Sequence, residues 1–127
     1  MILLAEDNDD VREGLKEVLE TGGYRVIEAA DGADAVRKFM EEESRTSIRL
    51  LILDVMMPKK NGKEVYDLIR KVRPDVHVLF TSGYQSDVIE RQGVEADRKH
   101  FIVKPFSPQI LLRKVHQILD GQPGIFA

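Results

Sequence analysis

The chain contains no cysteine and no tryptophan. Without cysteine, neither a disulfide framework nor a thiolate metal site is available. That fits a reducing compartment such as the cytoplasm. A basic excess is also missing: the formal net charge is −3 and the pI about 5.6. Lys59-Lys60 is too short to form a basic patch, so direct nucleic-acid binding has no support. Apolar runs such as Met1 to Ala5 and Leu50 to Leu53 fall far short of the ~20 residues a membrane span needs. The N-terminus lacks the features of a signal peptide. No Walker or GxGxxG loop occurs, and no internal repeat or low-complexity segment.

What is present fits one globular domain. The 127 residues are 43% hydrophobic and 32% charged. A chain of that size buries roughly two-thirds of its unfolded surface and needs no covalent staple.

Short apolar runs alternate with amphipathic segments. Ile2 to Ala5 reads as a buried strand, and Asn8 or Asp9 as the cap of a helix with Val11, Leu15, Val18 and Leu19 inward. Gly22-Gly23 closes that helix. Tyr24 to Glu28 reads as a second strand, an Asp31-Gly32 turn follows, and a second helix carries Val36, Phe39 and Met40 inward. Arg49 to Leu53 forms a third strand, apolar enough for burial on both faces. After the loop Asp54 to Asn61, a third helix starts at Gly62 and ends near Pro74. Val76 to Phe80, a short helix around Asp87 to Gln92, His100 to Val103 and a helix from Ser107 to Leu119 complete the series. Leu111, Val115, Ile118 and Leu119 face the core from that last helix.

Repeated β-then-α units predict an α/β domain with a parallel sheet covered on both faces. In such sheets the ligand crevice lies beyond the carboxyl ends of the strands. There the sequence places Glu6-Asp7, Asp54, Thr81 and Lys104-Pro105. Each alone reads as a cap, a turn residue or a surface lysine. Together, carboxylates, a hydroxyl and an ammonium stand at the functional ends of different strands. Crowded carboxylates repel, and a hard divalent cation with oxygen ligands relieves them. Mg²⁺ suits such a site, and a neutralised acidic pocket is prepared for a phosphoryl group.

These segments resemble the receiver domains of response regulators in two-component signalling, including the chemotaxis regulator. The resemblance rests on Glu6-Asp7, on Leu53-Asp54-Val55-Met56-Met57-Pro58 with Asn61-Gly62, on Thr81-Ser82-Gly83-Tyr84, and on Lys104-Pro105-Phe106. It covers residues 1–120 as the receiver domain and leaves 121–127 as tail or linker. The fold it implies is a single doubly wound, flavodoxin-like sheet of five parallel strands in the order 2-1-3-4-5.

The resemblance also implies roles. Asp54 would take the phosphoryl group from a phosphohistidine. Asp7, Asp54 and the backbone carbonyl of Met56 would coordinate Mg²⁺, with Glu6 acting directly or through water. Lys104 and Thr81 would contact phosphoryl oxygens, Phe101 would be the aromatic switch, and the bond before Pro105 would be cis. Departures from the common pattern are Glu6 in place of Asp and Phe101 in place of Tyr; Met56 and Gly83 bear on the lifetime of the acyl phosphate.

Partners implied are a histidine kinase or histidine phosphotransfer domain, and a downstream protein on the face of the fourth helix, fifth strand and fifth helix. A homodimer is a further option there, with Ile110 and Leu112 as exposed apolar candidates that also read as ordinary surface residues. The stretch from Thr81 to Gly93, Phe101 to Phe106 and Leu111 to Val115 resembles receivers of hybrid sensor histidine kinases. The chain is read as a phosphoacceptor acting on itself rather than an enzyme.

The rival is a haloacid-dehalogenase-like Mg²⁺ phosphatase, which needs an acid two positions after the nucleophile; Met56 stands there. A flavin module needs a phosphate-cradling loop after the first strand, where the run Glu6 to Asp10 is repulsive. His77, His100 and His116 share no ligand-like spacing and read as ordinary strand and helix residues.

Overall fold

A computed structural model of the chain describes residues 1–42, 48–82 and 99–120. Its elements in order are β1 (Ile2–Ala5), α1 (Asp9–Thr21), β2 (Val26–Ala29), α2 (Gly32–Glu42), β3 (Leu50–Asp54), α3 (Gly62–Val72), β4 (His77–Ser82), β5 (Lys99–Val103) and a C-terminal helix, Pro108–Asp120. The strands form one parallel sheet in the order β2-β1-β3-β4-β5. That is the order expected. The short helix around Asp87 to Gln92, the positions Gly83 and Tyr84, and the tail 121–127 lie outside the described residues.

A period of two sorts the core. Leu3, Ala5, Leu51, Leu53, Val78 and Phe80 face one side, against Ala35 and Phe39 of α2 and Val65, Tyr66 and Ile69 of α3. Ile2, Leu4, Leu50, Ile52, Leu79 and Ile102 face the other, against Leu19 of α1 and Leu111, Val115 and Ile118 of the last helix. Residues β1 and β3 contribute are buried throughout, as a sheet covered on both faces requires.

Local chemistry sets the helix starts. The Asn8 side chain accepts from the Val11 N–H at 3.0 Å, and Asp9 and Asp10 meet the positive end of the α1 dipole. Asn61 and Glu64 form a reciprocal capping box on α3. Gly23, at φ +97, turns the chain out of α1 in a conformation that favours glycine.

Some expected core positions lie outside. Val11 is 39% exposed and Met40 41%. Val11 sits on the first turn of α1, at the rim where the sheet beneath has already ended. Met40 lies one step around from the stripe of Ala35 and Phe39, which fills the space over the sheet. Leu112 is half-buried rather than exposed: it lies over Gly22, where an added Cβ would meet its Cδ2 at 2.6 Å. Ile110 is exposed as expected. Tyr24 precedes β2, because its N–H closes on Leu19 O at 3.1 Å.

Candidate functional site

Strand ends define the site. Asp54 is the last residue of β3, and Thr81 is its register partner on β4. Both lie inside strands rather than in loops, so their backbones are held by the ladder. The Val55 N–H donates to Thr81 O at 2.9 Å, carrying the pairing one residue past Asp54. Beyond β5, the Lys104 N–H donates to Ser82 O at 2.7 Å and the Lys104-Pro105 bond is cis.

The side chains converge as their strands do. Glu6, Asp7 and Asp54 each offer a carboxylate oxygen, all within 4.8 Å of one another. Asp7 is exposed, whereas Glu6 and Asp54 are buried. Lys104 Nζ donates to Glu6 Oε1 at 2.9 Å and to Asp54 Oδ2 at 3.2 Å. Burial works against the Lys104 charge, but its hydrogen bond to Glu6 and the field of Asp54 prevail and raise its pKa.

The remaining carboxylate oxygens of Glu6 and Asp54 are also engaged. Asp54 Oδ1 accepts from the Met56 N–H at 3.0 Å, and Glu6 Oε2 accepts from the Asn8 N–H at 3.1 Å. The Met56 side chain itself points outward, 68% exposed. An all-oxygen donor set of this kind fits a hard cation such as Mg²⁺ or Ca²⁺ and not a soft one.

Phe101 is half-buried, stacked on Phe80 with ring centroids 5.3 Å apart, and Phe80 meets Tyr66 edge-on at 6.0 Å. The expected residues Glu6, Asp7, Asp54 and Lys104 thus meet directly. Thr81 lies beside Asp54 in register, and Phe101 is the β5 register partner of Phe80, outside the acidic cluster.

Two features escaped sequence reasoning. Arg12 donates to the carbonyl of Glu6, and Gly62 approaches Asp54 so closely that a Cβ there would lie 2.6 Å from Asp54 O. The Asn61-Gly62 pair was a visible signal for the second. A single arginine on a helix gave none for the first.

Comparison with known proteins identifies the family. The family model described as the response regulator receiver domain matches residues 2–116. The chain is 38% identical over 122 residues to the sensor kinase CckA of Brucella abortus, covering 95% of this chain and 13% of that protein. It is 35% identical to the transcriptional regulatory protein CssR of Bacillus subtilis, covering 94% of this chain and 51% of that one. Among solved structures, the receiver domain of the hybrid histidine kinase CckA superposes with a TM-score of 0.75 at 35% identity, covering 93% of this chain and 97% of that chain. The chain belongs to the response regulator receiver domain family of two-component signalling. Receiver domains are phosphoacceptors served by histidine kinases or phosphotransfer donors. The chain spans 13% of the length of the first of these curated relatives and 51% of the second. Among the described residues, no helix is long and apolar enough to cross a membrane.

Proposed function

We propose that Asp54 is the phosphoacceptor of this receiver, working with Mg²⁺ held by Asp7, Asp54 and the backbone carbonyl of Met56, and by Glu6 directly or through water. The observation that carries the reading is the gathering of Glu6, Asp7 and Asp54 oxygens within 4.8 Å, with Lys104 bonded to two of the three. When bound, Mg²⁺ supplies a Lewis acid that offsets the carboxylates and draws charge from phosphoryl oxygens.

The chain's own residues do the rest. An Asp54 carboxylate oxygen attacks the phosphorus of a phosphohistidine; the P–N bond breaks and its electron pair leaves with the donor imidazole. Lys104, already 3.2 Å from Asp54 Oδ2, meets the phosphoryl oxygens from the β5 side. The Thr81 hydroxyl donates to one of them, which favours an arrangement in which Phe101 packs further inward. Phosphorylation then shifts a two-state equilibrium by as much as the phosphoryl group favours one state.

The reading extends to organisation and partners. Residues 1–120 act as the receiver and 121–127 as tail or linker, in the cytoplasm where the phosphodonor is made. The chain turns over its own acyl phosphate rather than a free substrate. Its donor is a histidine kinase or phosphotransfer domain, and the likeness to CckA favours a receiver of the hybrid-kinase kind. Output and any homodimer use the face of β5 and the C-terminal helix, where Ile110 is exposed; the segment around Asp87 to Gln92 that completes it lies outside the described residues.

The test is incubation with Mg²⁺ and acetyl phosphate followed by mass spectrometry. A base-labile, single-phosphoryl adduct that needs Mg²⁺ and is lost in Asp54→Asn is expected. Steady phosphate release without an adduct favours the phosphatase class. An adduct that persists in Asp54→Asn places the acceptor elsewhere.

A further inference from the structure

Arg12 stands in the first turns of α1 with its side chain only 16% exposed. Its guanidinium reaches three segments at once. One terminal nitrogen donates to the carbonyl of Glu6 at 2.8 Å, the other to Asp9 Oδ1 at 2.7 Å, and Nε to Glu28 Oε1 at 3.3 Å. Burial works against the Arg12 charge, but the bonds to Asp9 and Glu28 raise its pKa. A planar fork of donors makes this triple contact; a lysine ammonium cannot reproduce it.

The consequence falls on the site. The Glu6 N–H is tied to Ala29 O at 3.1 Å, and the Glu6 carbonyl to Arg12. That carbonyl lies in the same rigid plane as the N–H and Cα of Asp7. Holding it therefore sets the direction in which Asp7 leaves β1. We infer that Arg12 is a positioning residue for the acidic cluster, orienting the peptide that joins Glu6 to Asp7 and so the spacing of their carboxylates for Mg²⁺. This rests on the reading of Glu6, Asp7 and Asp54 as the Mg²⁺ site.

Charge and position predict opposite signs here. As a cation near a cation site, Arg12 repels Mg²⁺, so its removal would tighten binding if charge alone mattered. As a positioning residue, its removal weakens binding. The Glu28 ion pair provides the control, because Glu28→Gln loosens the brace between α1 and β2 while leaving the Glu6 carbonyl bonded.

The experiment is calorimetric titration of Mg²⁺ into the whole chain at fixed ionic strength, with folding checked by circular dichroism. Arg12→Ala is expected to weaken Mg²⁺ binding roughly tenfold or more, as loss of a group that orients metal ligands typically does. Arg12→Lys regains part of that loss. Glu28→Gln stays within about twofold of wild type, as for a partly exposed ion pair. Should the alanine variant fail to fold, Arg12→Gln, which keeps helix propensity, is expected to show the same weakening. Binding by the neutral variants equal to or tighter than wild type overturns the inference, and so does an equal loss in Glu28→Gln. A wild-type chain that binds no Mg²⁺ removes the cation reading itself, and this is seen before any variant is compared.

Discussion

Lys104 Nζ lies 3.2 Å from Asp54 Oδ2, although the two residues are 50 positions apart in the chain. The same ammonium lies 2.9 Å from Glu6 Oε1, so one cation bridges the acidic ends of β1 and β3 from beyond β5.

Removing that cation strands a buried charge. Glu6 is only 3% exposed, so Lys104→Met is expected to cost about 1–3 kcal/mol at neutral pH, the penalty for an uncompensated buried polar partner. Urea unfolding measures it. Saturating Mg²⁺ is expected to restore more stability to the variant than to wild type, since it offsets the same carboxylates. A variant as stable as wild type without Mg²⁺ would show the bridge to be energetically idle.

Thr81 separates chemistry from metal binding. Its side chain is buried beside Asp54, yet it is not among the clustered carboxylates. Thr81→Ala is therefore expected to bind Mg²⁺ nearly as wild type while slowing phosphorylation by acetyl phosphate roughly tenfold or more, the usual loss for one donor aimed at developing charge. Equal losses in both assays would assign it to the metal site instead.

Gly32 and Gly62 set how closely the loop after β3 packs. A Cβ at Gly32 would overlap the carbonyl oxygen of Lys60, and one at Gly62 would lie 2.6 Å from Asp54 O. Backbone must move in either case. Gly32→Ala and Gly62→Ala are each expected to destabilise by about 1–3 kcal/mol, the range for overpacking. Only Gly62→Ala acts on the Asp54 peptide itself, so it is expected to weaken Mg²⁺ binding more than its partner does. Calorimetry alongside thermal melting tells the two apart.

His100 makes stability depend on acid pH. Burial, with Lys114 and His77 nearby, lowers its pKa from 6.5 to about 4. The unfolded chain therefore takes up the proton first as pH falls. The contribution of neutral His100 is complete above pH 6.5 and disappears as pH falls toward about 4. Because the ring is only half-buried, the expected effect is about 1 kcal/mol, well below what the full shift implies. The check is the difference between wild type and His100→Phe in unfolding free energy at pH 7 and pH 4.5. Parallel pH profiles would contradict it.

The pattern of strands was legible because burial on both faces leaves short aliphatic runs that few other structures require. Asp54, Thr81 and Lys104 were legible because each follows directly on such a run. Val11 and Met40 were misread, since helical periodicity marks a stripe but neither how wide it is, as at Met40, nor where the neighbouring sheet stops, as at Val11. Arg12 was missed for a different reason. One of its acceptors is a backbone carbonyl and another, Glu28, is 16 positions away, so no spacing reveals them.

His77 and His100 make the same point from the other end of the sheet. Nothing in their spacing joins them, yet β4 and β5 bring their rings to 5.8 Å at centroids. The lowered pKa of His100 depends in part on that neighbour.

The sequence by itself determined which residues stand at the carboxyl ends of the strands and that the strands run parallel, because alternation, capping and turn chemistry act over a few residues. Only the tertiary structure decided how near those residues come. Glu6 and Lys104, 98 positions apart, meet at 2.9 Å because the ladders running from β1 through β3 and β4 to β5 set their separation. Burial there removes the water that would otherwise screen them, so distance and desolvation together turn separate side chains into one electrostatic unit.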